Sequence, residues 1–186
     1  PEMVWREFPE VVDFVRFNTF NKTALVNYGE KQLRVNNFVF ADTSIVNIFT
    51  LDFIEGDPAN ALKDPFSVVL TKRAAKQIFG DQNPIGKIIE YENKWDFKVS
   101  GIIHDLENSH IEIGLLANFI ALKSIYDDPE FFKRQGNWNY PAYLLLSENT
   151  NVDALTQKIR KYFATQLRWE HENETPEFRL RPLKEV

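Results

Sequence analysis

The stretch 64–105, DPFSVVLTKRAAKQIFGDQNPIGKIIEYENKWDFKVSGIIHD, constrains the fold more than any other part of the chain. It changes periodicity and turn chemistry in a fixed order. Val68, Val69 and Leu70 form a short apolar run of strand character. Thr71 follows where an N-cap belongs, its hydroxyl ready to accept from the first free N–H groups of a helix. Ala74, Ala75, Ile78 and Phe79 recur at helical spacing and make one apolar face. Gly80 suits the left-handed position that ends a helix, and 81–86 reads as an irregular turn. Ile88–Tyr91 opens a second strand, 92–95 is a hairpin tip, and 96–103 returns with Phe97, Val99 and Ile103 on one side. The stretch is scaffold throughout.

Its glycines and Lys87 do not make a phosphate loop. That motif places four residues between its first glycine and Gly-Lys, then Ser or Thr. Here five residues separate Gly80 from Gly86, and Ile88 follows Lys87. A helix enters this turn and a strand leaves it, so no helix start aims free N–H groups at an anion.

Either side of the stretch, 11–20 reads as a strand marked by Val11, Val15 and Phe17, with Arg16 facing away. Segments 23–28 and 32–40 form a hairpin around Gly29-Glu30-Lys31, with a bulge where Asn36-Asn37 shifts the alternation. Asp42 or Thr43 caps a short helix carrying Ile45, Val46, Ile48 and Phe49. Segment 115–121 returns to the first sheet, Pro129 starts a short helix, and 138–146 is a strand with Trp138, Tyr140, Ala142, Leu144 and Leu146 on one face. Asn151 caps the longest helix, 152–167, along a stripe of Leu155, Ile159, Tyr162 and Phe163. A final strand occupies 178–183. This succession is mixed α+β with antiparallel sheets.

Composition excludes several activities. Among 186 residues the net charge is −5, with no lysine or arginine run, so the basic face that nucleic acid or an anionic membrane needs is missing from the pattern. The absence of cysteine removes thiol catalysis, disulfides and zinc–thiolate sites. Sixteen phenylalanines favour a β-rich packed interior. No segment approaches the roughly 18 apolar residues of a membrane span. The chain opens at Pro1 without a leader pattern, and we expect it to be part of a longer protein whose membrane spans lie outside it.

Reaction chemistry is not signalled. His104 and His110 lack metal-ligand spacing, and His171-Glu172 lacks a second histidine four positions on. Ser109-His110 near Asp105 has the letters of a triad without a nucleophile elbow. Asp127-Asp128 and the acids of 170–174 lie in polar surroundings that would not separate two pKa values. No catalytic, cofactor or metal residue is assigned. Trp138, Tyr140 and Tyr143 form an aromatic group read as core. Trp95, at the hairpin tip, is the candidate partner contact, because an exposed aromatic buries large area at small entropic cost.

The run of Thr71, Ala75, Lys76, Phe79, Gly80, Asp81, Asn83, Pro84, Ile85, Gly86 and Lys87, followed by Phe97, Val99, Gly101 and Ile102, resembles the extracytoplasmic domain of MacB/FtsX-like ABC transporter permeases. Ala41-Asp42, Ile48-Phe49, the Glu55–Pro58 letters EGDP and Asn108-Ser109-His110 extend the likeness over 38–119. The resemblance implies a porter-like α/β subdomain, 1–54 plus 111–186, split by a smaller inserted αβ subdomain, 55–110. It further implies a non-catalytic periplasmic domain of a bacterial inner-membrane protein, with no cofactor. Its implied partners are a second permease copy, a cytoplasmic ATPase domain or subunit, and a periplasmic adaptor with an outer-membrane duct. No functional residue is carried across: Gly80, Pro84 and Gly86 shape the turn, while Phe79 and Ile85 pack it. The alternative is a stand-alone extracytoplasmic module binding peptide or glycan.

Overall fold

The chain runs α1 (Glu2–Glu7), β1 (Val11–Asn18), β2 (Thr23–Tyr28), β3 (Lys31–Asn36), β4 (Phe38–Ala41), α2 (Ile45–Ile48), β5 (Phe53–Gly56), β6 (Ser67–Thr71), α3 (Lys72–Phe79), β7 (Ile88–Tyr91), β8 (Trp95–Ile103), β9 (Leu115–Asn118), α4 (Ala121–Ile125), β10 (Ala142–Leu146) and α5 (Val152–Gln166), with a 3₁₀ turn at Leu183–Glu185. This computed structural model describes residues 1–19, 23–107, 109–128, 130–131, 140–166 and 178–185. It divides into a larger unit, 15–143, and a smaller one, 1–14 with 144–186. Among the described residues no helix is long and apolar enough to cross a membrane.

In the larger unit the strands lie in the order β1-β4-β9-β6-β8-β7-β2-β3, with β5 beside β8. The β4–β9 and β6–β8 pairs are parallel and the others antiparallel, so the sheet is mixed rather than antiparallel throughout. Central strands are continuous apolar runs because both of their faces are covered. Phe38, Phe40, Val68, Leu70, Leu115 and Ala117 point into one core, which α3 closes with Ala74, Ala75, Ile78 and Phe79. Val39, Ala41, Val69 and Leu116 point into the other, with Phe17, Ile45, Ala61 and Leu62. Toward the β3 edge the pattern becomes alternating: Ala24, Val26, Ile89 and Tyr91 are buried, while Asn27, Arg34, Ile88 and Glu90 lie on the other side. That half of the sheet is covered on one face.

This difference explains the first departure from the sequence pattern. The expected bulge at Asn36-Asn37 is a complete break, with Asn37 at φ +58°. Lys31–Asn36 has one wet face and stays at the edge beside β2. Phe38–Ala41 is apolar on both faces and moves between β1 and β9. A second departure lies in β8. Val68 faces Val99, but Val69 faces Gly101, so Ser100 is an extra residue in the ladder. Its hydroxyl donates to the Ala61 carbonyl at 2.5 Å. The bulge turns Ile103 into the second core, away from Phe97 and Val99. Opposite it, Gly56 stands at φ +99°, where a Cβ would come within 2.5 Å of the Ser100 carbonyl oxygen.

Two further local expectations change. Asp42 caps no helix; it forms a bidentate pair with Arg16, at 2.8 Å to Nε and 2.7 Å to Nη2, while α2 starts after Ser44 without a side-chain cap. Arg16 does leave the Val15–Phe17 face, and its guanidinium lies 4.6 Å from the Phe119 ring centroid rather than in open solvent. The apolar segment after Gly114 stops as a strand at Asn118, and Ala121–Ile125 is helical.

In the smaller unit, Asn151 caps α5 as expected, Oδ1 accepting from Ala154 N at 3.0 Å. Leu155 and Ile159 are buried with Val4, Phe8 and Val11, and Tyr162 and Phe163 pack on them. The expected final strand does not form. Phe178 and Leu180 pack against this core, but the Phe178 carbonyl is taken by Arg160 Nε, and Pro182 lacks an N–H to donate. Positions 129 and 132 of the helix expected from Pro129, and 138–139 of the strand expected at 138–146, lie outside the described residues; 130–131 form a turn, and the strand starts at Ala142, after Tyr140 and Pro141.

Candidate functional site

The hairpin that carries Trp95 is pinned from its tip. Glu92 and Asn93 stand at φ +54° and +55°, a conformation that costs an L-residue roughly 1–2 kcal/mol. The cost is offset by a reciprocal clasp: Glu92 N donates to the Leu25 carbonyl at 2.9 Å, and Leu25 N donates to Glu92 Oε1 at 2.9 Å. Asn93 Oδ1 accepts from Asn27 Nδ2 at 2.7 Å. Trp95 is thereby laid parallel to Phe66, with 5.8 Å between centroids and 11° between planes, and Lys94 Nζ lies 4.9 Å from its ring. The indole is half-buried against the first core and keeps a solvent-facing part.

The turn after α3 is built as a lock. Thr71 Oγ1 accepts from Ala74 N at 3.3 Å, as its position predicts. Gly80 takes φ +64° with ψ −119°, a positive φ as expected but outside the left-handed helical region. Pro84 is buried, Asn83 Oδ1 accepts from Ile85 N at 2.8 Å, and Gly86 N donates to the Val99 carbonyl at 2.8 Å. Lys87 reaches back to donate to Gln82 Oε1 at 2.5 Å, 5.3 Å from the Tyr28 centroid and 5.8 Å from that of Phe79. Lys76 pairs with Asp81 and holds that carboxyl below the usual range. Phe79 is fully packed and Ile85 partly so, as the sequence implies.

At the end of β8 a cleft of about 440 Å³ opens between residues 49–52 and 104–113. Phe17, Ile45 and Ile113 form its buried floor. His104 N donates to the Asp52 carbonyl at 2.9 Å, tying the two walls together. Ser109 and His110 do not assemble into a triad: Ser109 Oγ accepts from Ile111 N at 3.1 Å, and His110 Nε2 lies 2.8 Å from Tyr143 Oη. Burial raises the Tyr143 pKa. His104 Nε2 is 3.8 Å from Asp52, and among the described residues no three His, Asp or Glu side chains are grouped to hold a metal. Asp128 Oδ1 accepts from Glu130 N at 3.1 Å, a turn contact.

Tyr140 and Tyr143 are not one aromatic group. Tyr140 stands edge-on to Phe119 in the first core, and Tyr143 edge-on to Phe17 and Phe49 in the second. Trp138, His171-Glu172 and the acids of 170–174 fall outside the described residues. Sequence reasoning missed the cleft. Its one signal was the density of apolar residues, Leu51, Leu106, Ile111 and Ile113, in segments that read as loops.

This mixed sheet, with its locked helix–turn–strand motif, recurs in solved extracytoplasmic domains of transporter permeases. The fold is shared with a domain of a protein described as a permease from Porphyromonas gingivalis (TM-score 0.75, 19% identity, 91% of this chain and 70% of that one). It is shared with the periplasmic region of MacB from Actinobacillus actinomycetemcomitans (0.63, 16%, 87% and 71%). The extracellular domain of the noncanonic ABC-type transporter YknZ from Gram-positive bacteria is similar too (0.62, 13%, 89% and 82%). No curated protein sequence matches. The chain belongs to the MacB-like periplasmic core domain family, whose model matches residues 2–162. It is a periplasmic domain of a MacB-like ABC transporter permease, an inner-membrane protein.

Proposed function

We propose that this domain performs no catalysis and relays ATPase-driven motion of the permease's membrane helices to a substrate or a periplasmic partner. The observation that carries the reading is the family match across 2–162. Central strands packed on both faces support it, because a close-packed body passes displacement on rather than absorbing it. The partners in this reading are a second permease copy, a cytoplasmic ATPase domain or subunit, and a periplasmic adaptor leading to an outer-membrane duct. Trp95 is the residue we assign to partner contact, given its partly exposed indole on a pinned hairpin.

Residues 55–110 are read as an inserted unit within 1–54 plus 111–186. In support, β5 pairs with the end of β8, Glu55 facing Ile102, so the start of the segment lies beside the last strand within it. Hydrogen exchange in the full-length permease with its ATPase tests the relay. Protection within this domain is expected to differ between nucleotide-free and ATP-bound states; identical exchange would count against it.

A further inference from the structure

We propose that the cleft between residues 49–52 and 104–113 binds a short peptide in which an apolar side chain adjoins a lysine or arginine. Two separate observations carry this. The first is an apolar interior: Phe17, Ile45 and Ile113 close the floor, and Phe49, Leu51 and Leu106 are half-buried around it. Its volume of about 440 Å³ falls within the roughly 300–1,000 Å³ of ligand sites. The second is the sign of the charge. Asp52, Asp105 and Glu107 line the cleft, and among the described residues no lysine or arginine does. Asp52 and Glu107 are exposed and Asp105 half-buried, so their joint field is screened by salt, but its sign attracts an incoming cation and repels an anion.

The neighbouring cations leave that field in place. Arg73 Nε approaches Asp105 to 3.8 Å, but its side chain is 84% exposed and the pairing is weakened by solvent. His104 lies 3.8 Å from Asp52 and offsets it only when protonated. A cationic head at the rim with its alkyl stem along the floor matches how lysine and arginine distribute polarity along the side chain. Thr50 and Ser109 bring hydroxyls to the lining, suited to the backbone polar groups of a peptide.

The inference goes beyond the relay reading and stands without it. Its test is a nuclear magnetic resonance titration of the nitrogen-labelled 186-residue chain at low ionic strength. The probes are acetyl-Leu-Lys-Leu-Lys-amide and its isomer with glutamate in place of lysine. Saturable shifts at Leu51, Asp52, Leu106 and Ile111 are expected with the lysine peptide, at an affinity about tenfold above that of the glutamate peptide. The double variant Asp52→Asn/Glu107→Gln should weaken binding about three- to tenfold, while Glu30→Gln in the β2–β3 turn leaves it unchanged. Equal affinity for the two peptides, undiminished binding by the double variant, or shifts confined to other surfaces overturns the assignment. The two peptides decide the matter on the unaltered chain even if the variant loses its fold. A negative titration leaves the relay reading, tested in the full-length transporter, standing.

Discussion

The turn 79–87 leads from α3 into β7, the segment 104–113 leads out of β8 in the same sheet, and they spend their polar groups differently. In the turn, polar groups mostly face each other: Lys87 with Gln82, Asn83 with the Ile85 amide, Gly86 with Val99. In 104–113 the apolar residues turn into the second core, and carboxylates remain at the rim of a cleft. The stretch with the most legible motif is therefore the one that holds the fold. The stretch with no motif is the one with surface chemistry to offer a ligand.

If that contrast is right, substitutions in the turn should cost stability and those of the polar residues of 104–113 should not. The largest effect is expected at Phe79, which is 2% exposed. Phe79→Ala should destabilise by about 3–5 kcal/mol in denaturant unfolding, the range for a truncated core aromatic. Next is Gly86→Ala. No atom crowds the site, so the loss is that of placing an L-residue at φ +78°, about 1–2 kcal/mol by the same measurement. By contrast, Ser109→Ala removes one exposed contact and should stay within about 0.5 kcal/mol of the parent. A loss at Ser109 as large as that at Gly86 would dissolve the distinction.

The smallest effect is electrostatic. Donation from Lys76 holds the Asp81 pKa below its ordinary value. A depressed carboxyl contributes stability above its unfolded pKa, about 3.9 for Asp, and loses it as the pH falls through the lower folded value. Lys76→Ala should therefore reduce the thermal midpoint slightly at neutral pH, and the difference should vanish in acid. Both side chains are well exposed, at 65% and 95%, which keeps the effect small. A difference that grew toward acid would reverse the assigned sign.

Most of the scaffold was readable because local rules and tertiary packing agreed. Thr71 caps α3, Asn151 caps α5, and Ile88–Tyr91 is a strand in sequence and structure alike. What escaped were places where a single residue changes the geometry. Ser100 inverts one face of β8, and Asn37 sends β4 to the middle of the sheet. Asn36-Asn37 signalled a shift in alternation but not its size, and Ser100 carries no signal stronger than its neighbours. The parallel pairs were missed for a related reason, since a run such as Val68–Leu70 marks a strand buried on both faces without stating its direction. Tyr140 and Tyr143 look like neighbours in the chain, yet Tyr140 lies before β10 and packs in the first core, while Tyr143, within β10, packs in the second. The cleft was illegible because its walls come from segments some fifty residues apart, brought together by the β5–β8 pairing and the His104–Asp52 backbone hydrogen bond.

The relay claim is tested most directly by distance measurement in the assembled transporter. The domain has no cysteine, so a Glu30→Cys variant accepts one spin label on the exposed β2–β3 turn without competition from within the domain. Pulsed electron resonance between the labels of two permease copies should give different distance distributions in the nucleotide-free and ATP-bound, hydrolysis-blocked states. Superimposable distributions, with the ATPase shown to be loaded, would contradict the account.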